Sequence, residues 1–209
     1  MIDSLLDPIK RFFIFFSSRA NRHRVRGARI EVMAFIVTRE VELSILLAQS
    51  PYHGMWMPPQ EGVRLSESFP EALRRCLEVE CGLDLPGDPK SLARYFHVRS
   101  YRFMGVLELP PERHGERLVA DDAVGTALES VTLKRKAYWM ATVVVGSPSD
   151  IAPEPDGKEI VNLRWFPFRD ASEVISTTNH EPKAALLVRS LEACRRDLQG
   201  GSPPGQTQS

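Results

Sequence analysis

The sequence predicts an α/β fold: a mixed β-sheet between helices in an α/β/α sandwich, with an extra amphipathic helix at the N-terminus. Three observations carry this. β-Branched, apolar runs at 28–38, 95–107 and 137–145 are separated by stretches of helical period, the pattern of strands interleaved with helices. A proline-rich turn at 56–62 leads into a capped helix near residue 69. At 209 residues the chain can fill one core and still carry extensions.

In chain order, residues 4–17 repeat Leu5, Leu6, Ile9, Phe12, Phe13 and Phe16 at three-to-four spacing, with Asp7, Lys10 and Arg11 between them. Arg19, Arg22, Arg24, Arg26 and Arg29 follow. Such a helix either packs onto the domain, contacts a second copy in a homo-oligomer, or anchors the chain to a protein partner or a membrane surface. Residues 1–27 are therefore set apart as a helix and basic linker, 28–199 as the folded domain, and 200–209, rich in Gly, Pro, Ser and Gln, as a disordered tail.

Ala28 to Thr38 and Leu43 to Ala48, joined across R-E-V-E, read as a strand pair. Ser68, Pro70 and Glu71 make a capping-box start for a helix from Phe69 to Cys81, which Gly82 stops. Tyr95 to Leu107 and Ala137 to Val145 are further strands, the second apolar enough to be central. Between them, 110–132 is a charged excursion carrying Glu112, Glu116, Asp121, Asp122 and Glu129, with a helix expected over 123–131. Asn162 to Phe168 is a short strand around Trp165. A last helix starts near Asn179, takes Pro182 in its first turn and buries Leu187, Leu191, Cys194 and Leu198.

The formal charge is zero, so no global attraction to nucleic acid is expected and polyanion binding would have to be local. Three cysteines, Cys76, Cys81 and Cys194, have neither zinc-ligand spacing nor an even-numbered framework, which predicts a reduced, cytoplasmic protein. No apolar run is long enough for a transmembrane segment, and the N-terminal residues lack the layout of a secretory leader.

The chemistry concentrates between Trp56 and Leu83, which read W-M-P-P-Q-E-G-V-R-L-S-E-S-F-P-E-A-L-R-R-C-L-E-V-E-C-G-L. Glu67, Arg75, Leu77, Glu80, Gly82 and Leu83 stand at the spacing of the Nudix box. The stretch therefore resembles the Nudix hydrolases and implies a Nudix-type α/β/α sandwich. Trp56, Pro59, Gln60, Gly62 and Ala72 are similar to the forms found in family members that act on dinucleoside polyphosphates and RNA caps. Three positions depart: Glu61 replaces the signature glycine, and Cys76 and Val79 replace two acidic residues of the helix. At about 100° per residue, positions 76, 79 and 80 share one side of that helix, the family's metal-ligand side. Mg²⁺ and Mn²⁺ prefer several oxygen ligands. Cys76 offers a soft thiol and Val79 no donor, while Glu78 faces about 160–200° away.

From the resemblance, Glu80 is the remaining catalytic and metal-binding carboxylate, with Glu159 a candidate metal ligand from the turn that also holds Glu154 and Asp156. Glu67 and Arg75 are expected to pair, holding loop against helix. Lys134, Arg135 and Lys136, ahead of a central strand, are candidate ligand-binding cations, as is Arg64, with Arg74 and Lys158 weaker forms of the same idea. Trp56 could stack a base, as could Tyr138 or Trp139, one of which strand alternation should bury. Cys76 has no histidine within helical reach to activate it and is read as a buried thiol. The expected function is binding of a nucleotide, RNA or other phosphate-bearing ligand with weak or no hydrolysis, by resemblance a sensor, regulator or RNA-binding type. Two alternatives stand beside it: an active Mg- or Mn-dependent pyrophosphohydrolase, and a structural subunit assembled through the N-terminal helix.

Overall fold

The computed structural model describes residues 22–24, 26–40, 42–51, 54–64, 67–83, 85, 96–111, 133–148, 153–155, 157 and 159–199. The expected N-terminal helix, the excursion from 112 onward with its expected helix, Asp156, Lys158 and the tail lie outside them.

A mixed sheet of seven strands organises the fold. Its centre is β1 (Ala28–Thr38), which runs parallel to β6 (Arg135–Val144) from Ala28 opposite Arg135 to Val37 opposite Val144. Beyond β6 lies antiparallel β5 (His97–Glu108). The other edge of β1 is divided between two partners. Glu31–Met33 pair with β4 (Gln60–Gly62), whereas Val37 and Thr38 pair with β2 (Ser44–Gln49). β2 carries β3 (Trp56–Met57) and β7 (Asn162–Pro167), so the sheet forks where the Pro58–Pro59 connection leaves one arm for the other.

Helix α1 (Phe69–Val79) covers one face. Its start follows the sequence expectation: the Ser68 hydroxyl accepts from the Glu71 amide, and the Glu71 carboxylate accepts from the Ser68 amide at 2.7 Å. It ends two residues before the expected Cys81. Gly82 takes φ +62 there, and the Leu83 amide closes back to the Leu77 carbonyl at 3.2 Å, satisfying a terminal acceptor. Ala72, Leu73, Cys76 and Leu77 pack on Ile30, Val32, Ala34, Ile36, Trp139, Ala141 and Val143. A fully buried Leu or Ile contributes about 1.5–3 kcal/mol in removed apolar surface, so this seam fixes the helix more firmly than its propensity does.

The opposite face packs Met33, Phe35, Val37, Tyr138 and Met140 against α2 (Phe168–Thr178) and α3 (Glu181–Gln199). The expected α3 stripe of Leu187, Leu191, Cys194 and Leu198 is buried. α2 departs from the sequence reading, which passes from the Trp165 strand straight to the last helix. Its apolar positions Phe168, Ala171 and Ile175 do fit a helical face, but they are sparse among polar residues. A second correction concerns Tyr138 and Trp139. Both are buried, on opposite faces, because β6 is covered on both sides and alternation there selects a face rather than solvent. None of the described helices is long and apolar enough to cross a membrane.

Candidate functional site

The site is built around β4, because a strand sends alternate side chains to opposite faces. Glu61 projects toward α1 and Gln60 toward α3.

On the α1 side, Arg75 ties loop, strand and helix together. It donates to both Glu67 carboxylate oxygens, from Nε at 2.9 Å and from Nη2 at 2.7 Å, and to the Gly62 carbonyl at 2.6 Å. Its Nη1 meets Glu61 Oε2 at 2.8 Å. Thus the residue replacing the signature glycine becomes a second counter-charge for the arginine. Burial disfavours the ionised Glu67 carboxyl, yet the hydrogen bonds from Arg75 and the Arg64 amide outweigh it and hold Glu67 below the usual carboxylate range. The same contacts raise Arg75 above its already high value. Arg24 braces the corner from outside, donating to the carbonyls of Val63 at 2.9 Å and Arg64 at 2.8 Å. Burial lowers its pKa to about 10, against the pull of Glu67.

At the far end of α1, Glu80 is only 5% exposed. Its Oε2 accepts from the Gln60 amide at 2.7 Å and lies 3.9 Å from Cys76 Sγ. Burial, first, and then the charges of Glu61, Glu159 and Glu31 push its pKa up to about 8 against the Gln60 hydrogen bond, so Glu80 is largely protonated near neutrality. Cys76 is fully buried and its pKa is driven far upward, above all by burial, which removes it as a nucleophile. Val79 is half-exposed. Divalent hard cations need several ionised oxygens. Here the three family positions hold a single carboxyl, a buried thiol and a valine. Among the described residues no three His, Cys, Asp or Glu side chains come together as a possible metal ligand set. The donors as placed do not fit a divalent ion.

On the α3 side of the fork lies a second cluster that sequence reasoning missed. Glu31, the one acidic residue of β1, is buried and forms ion pairs with Lys136 Nζ at 2.8 Å and Arg29 Nε at 3.2 Å. Lys183, in the first turn of α3, donates to the Gln60 side-chain carbonyl at 2.8 Å and stands 4.0 Å above the Tyr138 ring. Burial first, and Lys136 next, lower its pKa to about 7 despite Glu31 and Glu80. Gln60 thereby joins the two faces: its main-chain amide holds Glu80 and its side chain holds Lys183.

The structure divides the sequence-nominated cations. Lys136 enters this cluster, Arg135 turns to Glu108 on β5 at 2.7 Å, and Lys134 is exposed. The triplet lies at the start of β6, where successive residues cannot face one way. The Arg64 side chain is exposed, while Arg74 pairs with Glu78 at 2.8 Å. Trp56 is partly exposed, edge-on to Phe166 with centroids 5.0 Å apart. Glu159 is exposed, although its charge is felt at Glu80. Glu31 carried a legible signal, the single carboxylate in a mostly apolar strand; Lys183 carried none.

The NUDIX domain profile matches residues 27–191. No curated protein matches the chain in sequence. Among solved structures, a C. elegans Ap4A hydrolase in a binary complex superposes with a TM-score of 0.53 at 17% identity, over 83% of this chain and 100% of that one. The E. coli dihydroneopterin triphosphate pyrophosphohydrolase gives 0.53 at 11% identity, over 79% and 95%. A Nudix hydrolase from M. smegmatis, RenU, gives 0.51 at 17% identity, over 87% and 91%. At these identities the likeness establishes the fold.

Proposed function

The chain belongs to the Nudix superfamily, and on that premise we propose that it binds a nucleotide or another phosphate-bearing ligand and hydrolyses it slowly or not at all, as a sensor, regulator or RNA-binding protein would. The observation that carries this is the setting of Glu80: buried and tied to the Gln60 amide, with Cys76 and Val79 where two more carboxylates would stand. Nudix hydrolases generally rely on divalent metal, which neutralises the pyrophosphate and activates water at a value of several kcal/mol in the transition state. Losing most of that term costs orders of magnitude in rate. The frame is held by protein groups, Glu67 with Arg75 at 2.7 Å. Two of the similar folds are named for substrates with phosphoanhydride bonds, which favours this ligand class here.

One observation favours a second reading, an active Mg- or Mn-dependent pyrophosphohydrolase. Glu61, Glu159 and Glu31 all bear on Glu80, and a cation drawn to that field would ionise it. Thermal-shift titrations with ADP and dinucleoside polyphosphates, in EDTA and in Mg²⁺ or Mn²⁺, coupled to a phosphate-release assay, separate the two. Stabilisation in EDTA without turnover is expected. Brisk metal-dependent hydrolysis abolished by Glu80→Gln would establish the enzyme instead, and no shift under any condition would end both.

A further inference from the structure

We propose that Lys183 and Lys136, on the α3 side of the forked sheet, form an oxyanion subsite that holds a phosphoryl group of the ligand without a divalent ion. This rests on the phosphate-ligand reading above and assigns its binding chemistry to residues outside the box.

The first support is placement. Lys136 from β6 and Lys183 from α3 converge around Tyr138, close enough that the charge of Lys136 is felt at Lys183. The second is charge balance. Glu31 already faces two cations, Lys136 and Arg29, and among the described residues Lys183 makes no ion pair with a carboxylate. Its polar partner is the neutral Gln60 amide, and a partly buried ammonium held this way is undercompensated. Three basic side chains, Lys136, Arg29 and Lys183, gather there around the one carboxylate of Glu31, the reverse of what a cation site needs. A phosphoryl oxygen placed between the two ammonium groups supplies the missing counter-charge through short, charge-assisted hydrogen bonds.

The test is calorimetric titration of the full chain with inorganic pyrophosphate in EDTA. Wild-type protein is expected to bind, Lys183→Met to bind about tenfold or more weaker, and Lys183→Arg to recover part of the loss, as expected for one charged hydrogen bond. A second measurement needs no variant: in the wild-type chain, pyrophosphate in EDTA should protect Lys183 severalfold from reductive methylation, read by mass spectrometry, and leave exposed Lys134 unchanged. Unaltered affinity in Lys183→Met, or unaltered methylation of Lys183, overturns the subsite. Binding that appears only with Mg²⁺ also overturns it while leaving the phosphate-ligand reading intact. Failure of that broader reading would show differently, as no thermal shift with any nucleotide in either buffer.

Discussion

The two ends of α1 solve the same problem in opposite ways. At Arg75, one cation is shared between two carboxylates in a partly buried corner, with 19% exposure for Arg75, 18% for Glu61 and 12% for Glu67. At Glu80, one acid is buried with an amide and a thiol as neighbours and sheds its charge instead. The frame of the box thus pairs its charges, whereas Glu80 has no cation beside it in an ion pair among the described residues.

Restoring the ionic side is the strongest way to break this contrast. Cys76→Glu with Val79→Glu is expected to create Mn²⁺ binding and raise pyrophosphohydrolase activity about a hundredfold, matching a metal contribution of several kcal/mol. It should also destabilise the protein in EDTA, because position 76 is fully buried. Metal titration and phosphate release check both, and an inert double variant would mean that more than two carboxylates separate this chain from catalysis.

Next in size is the frame. Arg75→Ala strands Glu61 and Glu67 and removes the donor to Gly62, so urea unfolding should show a loss of about 2–3 kcal/mol, below the full cost of a deeply buried pair. A loss under about 0.5 kcal/mol would contradict the central place given to the arginine. Gly82→Ala follows at about 2 kcal/mol. Gly82 adopts φ +62, and a Cβ there would lie 2.4 Å from the Glu154 carbonyl oxygen, whose residue bonds back to Cys81.

The smallest effect depends on pH. Glu80 has its folded pKa raised from 4.5 to about 8. Its stabilising share is therefore complete below the unfolded value and is lost as pH rises toward 8. In EDTA, Glu80→Gln should flatten the fall in stability between about pH 5 and 8, leaving the variant on the order of 1–2 kcal/mol ahead at pH 8. Lys183 contributes the opposite slope. Its pKa is lowered from 10.5 to about 7, so its share is present above 10.5 and is lost as pH falls toward 7. Chemical denaturation across this range should show a shallow minimum between the two trends that disappears in the Glu80→Gln, Lys183→Met pair.

The Arg75 end was legible in the sequence because its signals are local. Ser68 and Glu71 cap a helix three residues apart, Gly82 stops it, and Glu67 reaches Arg75 over eight positions. Glu80 was legible as a residue but not as a protonated acid, since its state comes from burial against β4 and from Glu31 and Glu159 far away in the chain. Lys183 lies 123 residues from Gln60, and only the parallel pairing of β1 with β6 and the packing of α3 bring them together. The basic triplet at 134–136 was visible as charge, but its division between two faces needed the strand register. The α2 helix escaped notice because its three buried residues are too few to announce a period.

A three-residue strand holds the sidedness of the whole arrangement. Were β4 to slide by one position, the amide of Gln60 and the carboxylate of Glu61 would trade faces, delivering an acid to Lys183 and starving Arg75. A side chain in place of Gly62 would push aside the Arg29 guanidinium, whose Nη2 lies 2.7 Å from the new carbon and whose flexible side chain has room to move. An insertion or deletion between Pro59 and Val63 would therefore do more than shorten a loop; it would reverse the polarity of the cleft.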